Sequence, residues 1–152
     1  MKRLVATLPL AALILVGAGC GASTATNPLT GTTTYDDGAG TRVQVGNGVS
    51  IPADFPADIP MYPGATVVTA MTSAQEGRQG ASLMLTTPDA VAAASGWYEQ
   101  ELVGDGWEKS GNFAVNGSDM RAYEKGDAAL SVTASPGDEG LTSILVIWAP
   151  QD

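Results

Sequence analysis

One window, TTPDAVAAASGWYEQELVGDGW over residues 86–107, carries a helical apolar period, and it constrains the fold of this chain more than any other stretch. Val91, Ala94, Tyr98 and Leu102 recur at spacings of three and four, so they line one face, with Trp97 on its border. Thr87 suits the N-cap, Pro88 the first helical position, and Asp89 the positive end of the helix dipole. Gly104 fits the position just past the C-terminus. Gly96 costs about 1 kcal/mol against alanine inside a helix, which implies close approach of the helix to a neighbouring sheet.

Around this helix the pattern has a period of two. Ala65–Ser73 and Ala81–Thr87 read as a hairpin joined by a glycine-bearing turn. After Trp107 come Phe113–Val115, the hairpin turn signal Asn116-Gly117, and a returning Met120–Lys125. Two further strands follow, Ala128–Ala134 and Leu141–Ala149, separated by Pro136–Gly140. The last is apolar on both faces, the pattern of a central or doubly covered strand. The expected fold is α+β, a two-layer antiparallel sheet with one helix packed across it, in the order ββα and then a three- or four-strand meander.

The first 19 residues have another design. Lys2 and Arg3 precede an uncharged run from Leu4 to Val16 and then small residues, the layout of a secretory signal peptide, and the run is too short for a comfortable membrane span. Cys20, the chain's one cysteine, ends that zone in Gly17-Ala18-Gly19-Cys20. Lipidation of its thiol explains both its position and its singularity, and a diacylglyceryl group supplies the two chains that stable anchoring needs. Residues 20–49, rich in Gly, Thr, Ala and Ser, read as the lipidated N-terminus and a flexible tether, with a short edge strand at Thr41–Val45. The folded domain is expected over residues 50–150.

Residues 50–64 open that domain with four prolines among Ile51, Phe55, Ile59, Met61 and Tyr62. Proline blocks helix and central strand alike, so this segment is expected to run extended as a strap, its apolar residues laid on the protein's own sheet.

Composition removes whole classes of function. The chain has no histidine, which excludes His-based triads and dyads and every zinc or mixed-ligand metal site that needs imidazole. No phosphate-binding loop or dinucleotide fingerprint occurs. Loss of residues 1–19 leaves five Lys+Arg against 16 Asp+Glu, a charge balance that argues against nucleic acid. Glu99, Glu101, Asp105 and Glu108 could form a two-carboxylate hydrolase, but the same residues suit the solvated face of an amphipathic helix. Asp127, Asp138 and Glu139 match no dedicated calcium loop, and turn chemistry accounts for them. Among the aromatics, Trp97 and Trp107 bracket the helix C-terminus and are the residues expected at a ligand site.

Phe55-Pro56-Ala57-Asp58-Ile59-Pro60-Met61-Tyr62-Pro63-Gly64-Ala65, Trp97-Tyr98, Leu102 and Gly106-Trp107 together resemble small bacterial lipoproteins, frequent in actinobacteria. These combine a lipobox, a tether, an "IPxYPGA" lead-in and a "WYxxxLxxxGW" helix. The resemblance implies an α+β domain held by palmitate-type acylation on the extracytoplasmic face of the cell membrane, and it brings no catalytic residues. The expected function is a non-enzymatic binding module of the cell envelope. It has no cofactor or metal, and its partners are the membrane, through the anchor, and another envelope protein or glycan. Two alternatives stand beside it: a carboxylate-dependent hydrolase of envelope glycans, and a carrier of a hydrophobic ligand. An apolar cavity of at least about 300 Å³ between helix and sheet would favour the carrier, and a close-packed layer there would exclude it.

Overall fold

The computed structural model describes residues 21–53, 55–75 and 78–151. The signal peptide and Cys20 lie outside the described residues. Nine strands form one antiparallel sheet: β1 (Ser23–Thr26), β2 (Thr33–Asp36), β3 (Thr41–Val45), β4 (Thr66–Gln75), β5 (Arg78–Thr87), β6 (Glu108–Val115), β7 (Ser118–Lys125), β8 (Ala128–Pro136) and β9 (Thr142–Pro150). The helix α1 (Val91–Gly104) lies between β5 and β6 in sequence. Across the sheet the order is β1-β2-β3-β4-β5-β9-β8-β7-β6. The chain therefore leaves β5 along α1, reaches the far edge at β6, and meanders back until β9 pairs with β5.

This corrects the expected fold. The broad α+β class fits, but the molecule is mostly one nine-stranded meander sheet, not a ββα unit followed by a short meander in two layers. Five strands precede the helix. Three of them come from the Gly/Thr-rich segment read as a tether, where Asp-Gly and Gly-rich stretches form tight turns; β3 is the short edge strand expected at Thr41–Val45, and β1 and β2 are additional. Gly40, at φ +108°, shows why glycine is required: a Cβ there would lie 2.3 Å from the Ala74 carbonyl oxygen.

The helix ends also differ from expectation. β5 continues through Thr87, whose buried hydroxyl accepts the Asp89 N–H at 3.3 Å, so the helix begins only after Ala90, an N-cap without a side-chain bond. Asp89 is thereby freed from the first turn. Its carboxylate takes the Tyr62 hydroxyl at 2.8 Å, and its carbonyl takes the Thr142 hydroxyl at 2.6 Å. At the other end Gly104 is the last helical residue, and the left-handed position is Gly106 at φ +87°. The Trp107 N–H returns to Leu102 O and the Gly106 N–H to Val103 O, a Schellman closure whose hydrophobic contact joins buried Trp107 to buried Leu102.

The strap is a chain of turns, not an extended run. Phe55 N–H donates to Pro52 O, Ile59 N–H to Pro56 O and Ala65 N–H to Tyr62 O. Each turn rotates an apolar residue inward, so Phe55, Ile59 and Tyr62 join the core while Ile51 stays exposed.

Alternation divides the sheet into two faces. On the front, Leu83, Leu85, Leu130, Val132, Ile144 and Val146 are buried beneath α1 and the strap with Ala94, Tyr98 and Leu102. The register carries the opposite face as a continuous row from Val45 through Thr69, Met84, Leu145, Thr133 and Met120 to Phe113. A second row runs from Met71 through Ser82, Ile147 and Ser131 to Ala122. β9 is central, as its two apolar faces imply, yet its back face is uncovered and Ile147 is 45% exposed.

Candidate functional site

The site grows from the β6–β7 hairpin and the start of α1. Asn116-Gly117 closes the hairpin with φ of 50° and 81°, both in the left-handed region that a two-residue hairpin turn requires. The tip stands beside the first helical turn, and between them lies an open groove of about 390 Å³. Val91 and Ala92 form its helix wall, Ala114 and Val115 its hairpin wall, and Ser118 and Asp119 its polar end. The residue types are small and apolar, which leaves room where larger side chains would have closed the gap.

An ion network holds the two walls together. Arg121, on β7, donates to the Ser95 carbonyl of α1 at 2.8 Å, to the Glu99 carboxylate, and to Asp119 at 2.8 and 3.2 Å. Lys109 closes the other side of Glu99 at 2.7 Å, and Asn112 donates to Asp119 at 2.8 Å. Burial pushes the Asp119 carboxyl up, but hydrogen bonds from Arg121 and Asn112, with the Arg121 charge, outweigh it and hold the group below the usual range. The Lys109 hydrogen bond, with the Arg121 charge, likewise lowers Glu99. Asp119 thus meets the groove as a fixed, charge-balanced acceptor.

Trp97 and Trp107 occupy different environments. Trp97 is half-buried and meets Tyr62 edge-on at 5.2 Å and Tyr98 at 5.0 Å, an aromatic clasp between strap and helix. Trp107 is buried, with the Lys125 ammonium 5.7 Å from its ring centroid. Neither lines the groove. Within the core, Tyr98 Oη, Trp107 Nε1 and Tyr123 Oη are buried with no hydrogen-bond partner. Burial raises both phenols, Tyr98 to about 12. The helix–sheet interface itself is filled by these rings and by Leu102 and Leu130, so the open volume lies at the end of the helix and not beneath it.

Among the described residues no carboxylate is buried. Glu99 and Glu101 are partly exposed, and Asp105 and Glu108 are open to solvent. Asp138 and Glu139 belong to a short 3₁₀ turn, as turn chemistry suggests. Among the described residues no cluster of three potential metal ligands occurs, and no helix is long and apolar enough to cross a membrane.

Sequence reasoning missed the groove. Val91 is visible as the first residue of the helical stripe and Val115 as the residue before Asn116-Gly117, but nothing local brings the two together. That proximity comes from α1 crossing the sheet to its β6 edge.

Residues 67–140 match a family model described as START domain-like. The match spans nearly all of β4, then β5, α1, β6, β7 and β8, and so takes in both walls of the groove. It covers just under half of the chain, which is therefore similar to that family over this region. No curated protein and no solved structure matches the chain.

Proposed function

We propose that this protein is a non-enzymatic ligand-binding module that takes an apolar chain or ring into the groove between the start of α1 and the β6–β7 hairpin. One observation carries the reading: the START domain-like match coincides with the elements that build the groove. START-like domains are generally ligand-binding modules without catalytic activity. The groove's volume of about 390 Å³ is in the range of small-molecule sites, and its walls are apolar with Asp119 as a polar end. The ligand is then apolar, with a hydroxyl or amine end that donates to Asp119.

In this reading the module stands outside the cytoplasmic membrane, anchored through a diacylated Cys20, a placement supported by the charge and apolar layout of residues 1–20. β1 starts at Ser23, three residues past that cysteine, so the anchor holds the β1 edge of the sheet near the headgroups instead of on a long leash.

The test is binding of a fluorescent long-chain alcohol to the full chain, compared with Ala92→Trp, which fills the groove from an exposed helix position. Wild type should bind and the variant should lose about tenfold or more in affinity. Equal affinity in both, with unchanged melting, sinks the reading. Labelling with a palmitate analogue should mark wild type and leave Cys20→Ser unmarked; equal labelling ends the anchor.

A further inference from the structure

We infer that the back of the sheet, opposite α1 and the strap, is a self-association surface at which two copies of this chain stack face to face. The two central rows of that face carry no charged residue, in a chain whose formal net charge is −9. Three of the chain's five methionines, Met71, Met84 and Met120, are on it, each 37–42% exposed, with Leu145 and Ile147 between them. Depletion of charge together with enrichment of methionine distinguishes the centre of a protein interface from ordinary surface.

Charge selects the geometry. Two acidic copies repel in most orientations, and the ion pairs of Lys109, Arg121 and Lys125 sit on the helix side, while Glu108 and Glu124, opposite each other on β6 and β7, lie one row beyond the two central rows. Stacking through the uncharged rows separates the ion pairs by two sheets and leaves the exposed Glu108 and Glu124 at the rim. The size is sufficient as well. Six strands at about 4.8 Å spacing and three residues of one face per strand, the two central rows with the uncharged Thr86, Ser143 and Ser135 beside them, give about 600 Å² per copy, or about 1,200 Å² for the pair, at the lower end of the range of stable interfaces. Twisted sheets stack about 10 Å apart at about 30°, and two copies of one sheet share the same hand of twist, so a twofold pair is self-complementary. Such a pair would also supply the second cover that the sequence of β9, apolar on both faces, otherwise lacks.

Crosslinking the full chain in the envelope of an expressing bacterium tests this. Ile147→Cys places a thiol at the centre of the face, and Glu101→Cys places one on the helix side; Cys20 is common to both. A short bis-maleimide should give a band of twice the monomer mass at least about fivefold stronger for Ile147→Cys. Adding Met84→Glu should remove that band, while Met84→Leu should keep it, with thermal melting confirming that both variants fold. The purified full chain in mild detergent should sediment as a dimer at about 100 µM and as a monomer with Met84→Glu. Equal crosslinking at both positions, a crosslink at 147 to an unlike protein, or a monomer at all concentrations overturns the inference. Vesicle binding that is lost in Met84→Glu would overturn it too, by assigning the face to lipid.

Discussion

β1–β3 and β4–β9 belong to the same sheet and are held in it by different forces. In β5, β8 and β9 the front-facing residues are almost wholly buried: Leu83, Ile144 and Val146 expose nothing, and Tyr98 and Leu102 close over them, while the edge strand β6 stays largely exposed. In β1 all four residues are exposed, and no residue of β1–β3 belongs to the buried core. What organises these first strands is backbone pairing and turn chemistry. The Asn27 side chain accepts the Leu29 N–H, Asp36 accepts Gly38 N–H, and Asp37 accepts both Ala39 and Thr41 N–H at 2.8 Å. Continuous pairing can therefore hide a steep gradient of stability, because net backbone hydrogen bonds contribute far less per residue than apolar burial.

The largest consequence of that gradient is in truncation. Leu102→Ala removes a fully buried side chain under Trp107 and should cost about 2–5 kcal/mol in urea denaturation. Val43→Ala, on half-buried β3, should cost no more than about 1 kcal/mol. Similar losses for both would break the distinction. Gly40→Val sharpens it: at φ +108°, with Ala74 O in the way, the substitution should cost about 1–3 kcal/mol. The loss should be local. Amides of β1–β3 should exchange faster while those of β5, β8 and β9 keep their protection; loss of protection throughout would show a single cooperative unit.

A smaller effect separates satisfied from unsatisfied polarity. Turn acceptors in β1–β3 are exposed and bonded, whereas the Tyr98 hydroxyl is buried without a partner. Tyr98→Phe should therefore leave stability unchanged or raise it by about 1 kcal/mol. A loss of that size would show that the hydroxyl holds a bonded water or ligand.

The same contrast explains what was legible in the sequence. The helix stripe of Ala94, Tyr98 and Leu102 is found buried, because a 3.6-residue period survives in any sequence that must cover a sheet. Asn116-Gly117 could be read directly, since its left-handed conformation is a property of those two residues. The three N-terminal strands could not be read that way, because a segment with no buried apolar residues looks the same as a linker whether or not it pairs. One local signal existed there, the alternation of TRVQV, which is β3. The helix start was misplaced because Thr87 and Pro88 satisfy a capping pattern, while pairing with Thr142 keeps Thr87 in β5. In the candidate site, Val91 and Val115 are joined only by the path of α1 over three strands, which no local pattern encodes.

Acid provides the finest probe of the two regions. Asp37 is held below the usual carboxylate range chiefly by the Thr41 N–H, and then by Ala39; Asp36 is held down by the Gly38 N–H and then by Arg42. A carboxyl whose folded pKa is depressed stabilises fully above its unfolded value, here 3.8, and that stability is lost as pH falls through the folded value. Glu99 and Asp119 follow the same sign, but their loss is spread over a helix and sheet that core burial also joins. On acidification below about pH 4, the 36–41 turn should therefore loosen before α1 separates from β7. The Thr41 amide, followed by nuclear magnetic resonance, should lose its hydrogen-bonded shift with a midpoint below 3.8. Asp37→Asn retains an acceptor but cannot titrate, so it should keep the turn and abolish this transition. If the variant shows the same acid midpoint, the turn is held by something other than the carboxylate, and the ordering of the two regions in acid fails with it.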